Sequence, residues 1–292
     1  MTRPMSDPPD ALADELARHL LVLEGTLTVL TRPFGVPSYD FDFERSFACT
    51  HPVYLPEGTE TIARLGPIAD YEAVHEVLAG IGVRLVNDPE ASHRANDLRG
   101  WYPVIADLTA RSLWFEGEPD LERVAHEIGF PVFVKTVQQT LRHRRDVCVV
   151  ADRDALERAV ATYRSDPVLG AQPLVFREYL DLAPLPGAPR DAGRISGGRE
   201  IRSFWWKGRV VGDGPYWSRD GDWSPSAADR TRALTLAEEV ARRLDVPFLV
   251  VDAAQRSDGS WVIIETNDAQ ESGYCGVSPA PLWRAILEAE QP

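Results

Sequence analysis

The 292-residue sequence is poor in lysine: of its 31 basic residues only Lys135 and Lys207 are not arginine. With 45 acidic residues the formal net charge is −14. That balance excludes non-specific binding to nucleic acid or to an anionic membrane, both of which need clustered cations. Cysteine is scarce too. Cys49, Cys148 and Cys275 are widely spaced, with no CxxC, which excludes a disulfide framework and a thiolate zinc site and suits a reducing cytosol. Apolar runs fall far short of the roughly 18 residues of a spanning helix. The N-terminal MTRPMSDPPDALADE has no basic segment leading into an apolar one, so no signal peptide and a soluble cytoplasmic protein are expected. The signatures GxxxxGKS/T, GxGxxG, HExxH and GxSxG are all missing. The six histidines are scattered, and His75 and His126 fall in amphipathic helical patterns. What remains is an ordinary globular composition, 44% hydrophobic, long enough for two domains or one domain with an insertion.

The pattern along the chain is mixed α/β. Residues 11–23 have helical spacing after Asp10, and 25–69, rich in Pro, Gly and aromatics, give no clear period. A helix over 71–79, stopped by Gly80 and Gly82, precedes a strand at 83–87. Leu121, Val124, Ala125 and Ile128 mark a helix ending at Gly129, followed by the strand PVFVK, a polar loop at 136–146 and a second strand at 147–150. Asp154 with Glu157 reads as a capping box for the next helix. The four pieces make a lid-like module at about 118–166. PLVFREYL, 173–180, is a strand, and 181–198, with four Gly and three Pro, reads as a mobile surface loop. A hairpin REIRSFWW–KG–RVVG follows, then a helix over about 225–244 capped by Ser226 and Asp229. Strands at 246–254 and 261–267 and a helix at 281–289 complete the chain.

The last hairpin carries the sharpest geometry. A two-residue loop at Asp258-Gly259 sets Ser257 opposite Ser260 and therefore Asp252 opposite Glu265. Paired residues share a face, which Asn267 joins, while Val251, Ala253, Ile264 and Thr266 point away. Two facing carboxylates and an amide oxygen are a donor set for a hard cation such as Mg²⁺. Lys135, ending an apolar strand in a chain that otherwise writes arginine, is a candidate phosphate contact; Arg142, His143, Arg144 and Arg145 follow in the lid loop. Glu200 and Arg202 alternate onto one strand face with Phe204, where a carboxylate can accept from ribose hydroxyls beside an arginine on phosphate.

Taken in order, NDPEASHRAND, GFPVFVK, REYL, GGREIRSF and VVDAAQRSDGSWVIIETNDAQESG resemble the ATP-grasp superfamily over about residues 83–280. The resemblance implies an α/β (α+β) ATP-grasp fold with an N-terminal α/β domain at 1–116, a lid subdomain at 117–176 and a C-terminal antiparallel-sheet core at 177–292. It implies ATP on Lys135, with Arg142 and Arg144 at the phosphates, Glu178, Tyr179 and Leu180 as the adenine hinge, Glu200 on the ribose and Arg202 on the phosphate side. Mg²⁺, with Mn²⁺ as the alternative, would rest on Asp252, Glu265 and Asn267. Arg202, Lys135 and Arg219 would serve catalysis, and Arg219, Tyr216, Trp217 and Gln270–Tyr274 would border the acceptor site. The implied activity is a carboxylate–amine or carboxylate–thiol ligase working through an acylphosphate, on small-molecule or peptide carboxylate and amine substrates. No nucleic-acid or membrane partner is implied, and homodimers are common in that superfamily. The alternatives are an inactive nucleotide-binding regulator on the same fold and a structural protein. Three features depart from the superfamily pattern. The lid loop has no glycine, the earlier basic position is at best Arg99 or Arg111, and 181–198 lengthens the path from hinge to Glu200.

Overall fold

The structure, a computed structural model, describes residues 15–291 except 16, 34, 53, 54, 67, 69, 138, 139, 142, 188–192, 219, 220 and 222. Its strands are β1 (Leu20–Leu23), β2 (Leu27–Thr31), β3 (Cys49–Thr50), β4 (Thr59–Arg64), β5 (Val83–Leu85), β6 (Ser112–Phe115), β7 (Val132–Thr136), β8 (Val149–Val150), β9 (Leu174–Glu178), β10 (Glu200–Trp206), β11 (Arg209–Pro215), β12 (Phe248–Gln255) and β13 (Trp261–Asp268). They form three sheets, ordered β3-β1-β2-β4-β5, β6-β9-β7-β8 and β11-β10-β12-β13. The first mixes a β1–β2 hairpin with parallel β2–β4 and β4–β5 pairs; the other two are antiparallel throughout. Residues 20–23 are therefore a strand, where helical spacing had suggested helix: LLVL is apolar at every position and pairs with β2, a tertiary choice that overrides the local period.

The surplus of acidic residues has a structural use. Asp42, Asp70, Asp88, Asp97, Asp120 and Asp152 each cap a helix by accepting a backbone N–H of its first turn, and Ser226 does the same for Ala227–Leu244. Asp152 replaces the expected Asp154 as cap of Arg153–Ser165. The expected strand at 147–150 is also shorter. Arg145–Cys148 is a helical turn and only Val149–Val150 extends, because Val147 and Cys148 both bury against the helix behind them.

β10 and β12 are buried along their whole length and supply two cores. On one face Ile201, Trp205, Leu249, Val251 and Ala253 meet the apolar stripe Ala233, Ala237, Val240, Ala241 and Leu244 of the long helix. On the other Phe204, Trp206, Phe248 and Val250 meet Leu23 and Val29 of the first sheet and Leu282, Trp283 and Ile286 of the helix Pro279–Ala289. Period-two alternation carries this second face on to Arg202, Glu200 and Asp252, so the face that forms a core at one end holds the charged cluster at the other. No described helix is long and apolar enough to cross a membrane.

Trp283 ties these layers together. It is fully buried, lies edge-on to Phe43 at 4.9 Å and donates its indole N–H to the Tyr274 hydroxyl at 2.8 Å. Trp283→Ala should lower stability by about 3–5 kcal/mol, read from urea unfolding midpoints; a loss under about 1 kcal/mol would contradict this packing.

Candidate active site

The β12–β13 hairpin places the acidic residues. Asp252 pairs with Glu265, and Val250 with Asn267. Near the turn the register differs from expectation: Arg256 N–H donates to the Ser260 carbonyl at 2.8 Å, a three-residue loop instead of two. A β-bulge between Asp252 and Ala253 then inserts one residue on β13 and restores the Asp252–Glu265 pairing. The two departures cancel at the carboxylates. They do not cancel at Ile264, which sits at the bulge and lines the cavity beside Glu265 instead of pointing away.

Asp252 is completely buried, and both of its oxygens are engaged by Arg202, Nε to Oδ1 at 2.9 Å and Nη2 to Oδ2 at 2.7 Å. Arg202 also donates to the Gly273 carbonyl at 2.8 Å and lies over the Tyr216 ring at 4.6 Å. Lys135, 5% exposed at the end of β7, reaches Glu265 Oε2 at 3.1 Å. Arg177 on β9 is equally buried, held by Ser112 Oγ, Thr109 Oγ1 and the Ile264 carbonyl at 2.7–3.1 Å. Glu200, 6% exposed at the start of β10, accepts the Trp217 indole N–H at 2.7 Å.

These groups frame a cavity of about 280 Å³ between the second and third sheets. Lys135, Glu178, Tyr179, Leu180, Glu200 and Glu265 line it, joined by Phe133, His143, Arg145, Arg177, Tyr216 and Trp217. Burial drives the electrostatics. It raises Glu200 well above the ordinary carboxylate value, reinforced by Asp252, and it raises Asp252 despite Arg202. Burial would raise Glu265 as well, but Lys135, Arg202 and Arg177 together hold it below its ordinary value. Burial brings Arg177 down to about 10 and lowers His143.

The expected lid contacts fall elsewhere. Arg144 is exposed and paired with Asp146 at 2.6 Å, outside the cavity lining. Arg142 and Arg219 lie outside the described residues. Arg99 pairs with Asp97 and Glu116, and Arg111 pairs with Glu178; neither lines the cavity. The second buried cation is Arg177, which reads in sequence as an ordinary strand residue. The segment 181–198 is no free surface loop in its described part. Pro184 bridges Gly198, Arg144 bridges Arg194, and Ile195 N–H donates to the His143 carbonyl at 2.9 Å, so it straps the lid loop to the hairpin. Tyr216 and Trp217, expected at the acceptor side, line this same cavity.

A divalent cation fits the donor set. Among the described residues no three His, Cys, Asp or Glu side chains form a metal cluster, so Asn267 must supply the third oxygen beside Asp252 and Glu265. Its Nδ2 is buried with no hydrogen-bond partner, and turning the amide over exchanges Nδ2 for Oδ1 at that position. Asp252 and Glu265 already face Arg202 and Lys135, so a cation there shares both carboxylates.

The profile of an ATP-grasp domain family, the third family of its clade, matches residues 86–286. The chain belongs to that family. Its ATP-grasp fold is similar to that of D-alanine–D-alanine ligase from Bacillus anthracis (TM-score 0.55, 15% identity, 79% of each chain covered). The same enzyme complexed with ATP gives 0.56 at 15% identity, covering 79% of this chain and 78% of that one. The ATP-grasp ligase PsnB complexed with precursor peptide PsnA2 and AMPPNP gives 0.50 at 16% identity, covering 80% and 77%. No curated protein matches the chain.

In this ATP-grasp domain the NDPEASHRAND segment is structural. Asn87 donates to Asp268 Oδ1 at 2.7 Å and to the Phe248 carbonyl at 2.8 Å, and Asn96 Oδ1 accepts the Asp268 N–H at 2.7 Å, pinning both strands of the acidic hairpin. Beside them burial raises Asp268 to about 6, and burial together with Asp268 raises Glu271 to about 8. Both folded values exceed the unfolded ones, so the stability they contribute is full below about pH 4.5 and is lost as pH rises through 6 and 8. Glu271→Gln, which keeps an oxygen for Asn96, should shrink the fall in urea midpoint between pH 5 and 8. Equal falls in both proteins would contradict the assignment.

Proposed function

We propose that this ATP-grasp chain is an ATP-dependent carboxylate–amine (or carboxylate–thiol) ligase that activates its acid as an acylphosphate. The observation that carries the reading is the convergence of Lys135, Glu200, Arg202, Asp252, Glu265 and Asn267, from β7, β10, β12 and β13, on one enclosed cavity edge. The geometry supplies positioning and charge neutralisation, which is what phosphoryl transfer requires of a protein.

In this reading the adenine lies along Glu178, Tyr179 and Leu180, and Glu200 accepts from the ribose hydroxyls. Lys135 meets phosphate oxygens, and in doing so trades part of its contact with Glu265. Asp252, Glu265 and Asn267 hold Mg²⁺, which supplies charge neutralisation at the phosphates when bound. The substrate carboxylate oxygen attacks the γ-phosphorus and ADP leaves. The amine then attacks the acyl carbon, loses a proton, and phosphate departs. Arg202, locked between Asp252, Gly273 and Tyr216, keeps a fixed positive charge beside the reacting phosphoryl group. No nucleophilic side chain is needed. The PsnB complex, which holds a precursor peptide with AMPPNP, makes a peptide carboxylate a candidate substrate.

A second reading, a nucleotide-binding regulator without turnover, draws on Arg202 gripping both oxygens of Asp252 and on a lid loop without glycine. ADP release in the presence of pooled amino acids and peptides separates the two: ATP turnover that depends on an added acid supports the ligase.

Calorimetric titration with ADP, with and without Mg²⁺, tests the site itself. Mg²⁺-dependent binding is expected, weakened about 10–100-fold in Lys135→Ala, as fits loss of a charged hydrogen bond, and weakened also in Asp252→Asn. A folded wild-type protein that binds no ADP would overturn both readings.

A further inference from the structure

The Trp217 side chain touches three walls of the cavity, the hairpin, the strap and the lid loop. It follows β11 in a turn whose backbone is fixed by the Tyr216 N–H donating to the Glu200 carbonyl at 2.9 Å. Its indole N–H donates to Glu200 Oε2 at 2.7 Å. Among the described residues no other donor reaches that carboxylate, although Glu200 is almost wholly buried. A buried carboxylate with one fixed oxygen can turn only about that contact, so the indole sets the direction of the other oxygen toward the cavity.

The ring is itself fixed from two sides. Gly197, in the strap, lies so close to it that a Cβ there would stand 2.7 Å from the indole carbons Cγ and Cδ2, closer than real Cβ atoms come. The His143 ring meets it edge-on, with centroids 6.0 Å apart and planes at 74°. The strap and the lid loop are joined in turn, through Ile195 N–H to the His143 carbonyl and Arg145 N–H to the Gly193 carbonyl, both at 2.9 Å. Lid, strap and hairpin therefore converge on one indole. Its N–H goes to the residue placed at the sugar.

We propose that Trp217 is a positioning residue for sugar recognition: its N–H orients Glu200 toward the ribose hydroxyls, and its packing under Gly197 and against His143 couples that orientation to the lid loop. The inference rests on the nucleotide site proposed above and extends it to a residue that touches no phosphate and no metal ligand. A Trp placed only to fill space would leave the discrimination between sugars unchanged when replaced by another aromatic ring. One placed to aim Glu200 would not.

The test is the ratio of calorimetric dissociation constants for ADP and 2′,3′-dideoxyADP, each with Mg²⁺, in wild type, Trp217→Phe and Gly197→Ala. Trp217→Phe keeps a ring for His143 and the strap but removes the N–H. Gly197→Ala keeps the N–H but displaces the indole. The wild type should favour ADP by on the order of tenfold or more, the worth of hydrogen bonds to a charged group. Both variants should bring the ratio to within about twofold, with dideoxyADP affinity unchanged. Circular dichroism establishes that each variant is folded. A wild-type ratio retained in both folded variants overturns the proposal, as does a wild type that binds ADP without preferring it. Absence of ADP binding by the wild type instead overturns the nucleotide site, and this inference with it.

Discussion

The bidentate contact between Arg202 and Asp252 is the constraint around which the site is organised. A fully buried carboxylate is tolerated only if its charge is met at close range, because desolvation costs several kcal/mol per ion. Arg202 meets it, but then occupies the middle of β10 with a charge of its own, and the remaining groups follow. Glu265 faces Asp252 across β12–β13 and needs Lys135 and Arg177. Glu200, two residues from Arg202 on the same face, is left with the Trp217 N–H. Three buried carboxylates thus stand against three buried cations drawn from two different sheets. A polyphosphate brings negative charge that only an accompanying cation can balance, and Asn267 with its unpartnered amide stands at the place where one fits.

The rest of the fold holds that cluster rigid. One face of β10 and β12 packs on the long helix and the other continues from an apolar core into the charged site. Asn87, Asn96 and Gln270 then tie the acidic hairpin to the first sheet, Gln270 through the Ala63 N–H. Arg64 adds a brace, donating to the Ala269 carbonyl and lying over the Tyr274 ring at 4.5 Å. The polar residues around the hairpin that resemble a functional motif in sequence are largely engaged in this bracing.

How much of this could be read from the sequence follows from which contacts are local. The facing of Asp252 and Glu265 needs only strand periodicity and one turn, and it survives a wrong loop length because the bulge at Ile264 compensates. Lys135 is visible because lysine is so rare here, and Asp97, Asp120 and Ser226 sit where helix caps belong. Arg177 is invisible, since nothing about REYL tells that its arginine turns inward toward Glu265. Arg144 and His143 are adjacent and equally polar, and only the strap from 181–198 decides that the histidine faces the cavity and the arginine faces water. That strap reads as a loose loop because its Gly and Pro content reports conformational freedom, not the partner that removes it. Residues 20–23 fail for a related reason: a local helical period yields to pairing with β2.

The central claim is that one cavity binds both a nucleotide and a divalent cation through this charge cluster. A crystal structure of the protein with AMPPNP and Mg²⁺ tests it most directly. The account predicts the triphosphate beside Lys135, the ribose at Glu200 and metal density among Asp252, Glu265 and Asn267. A nucleotide seated outside that cavity, or metal bound without those three residues, would contradict it.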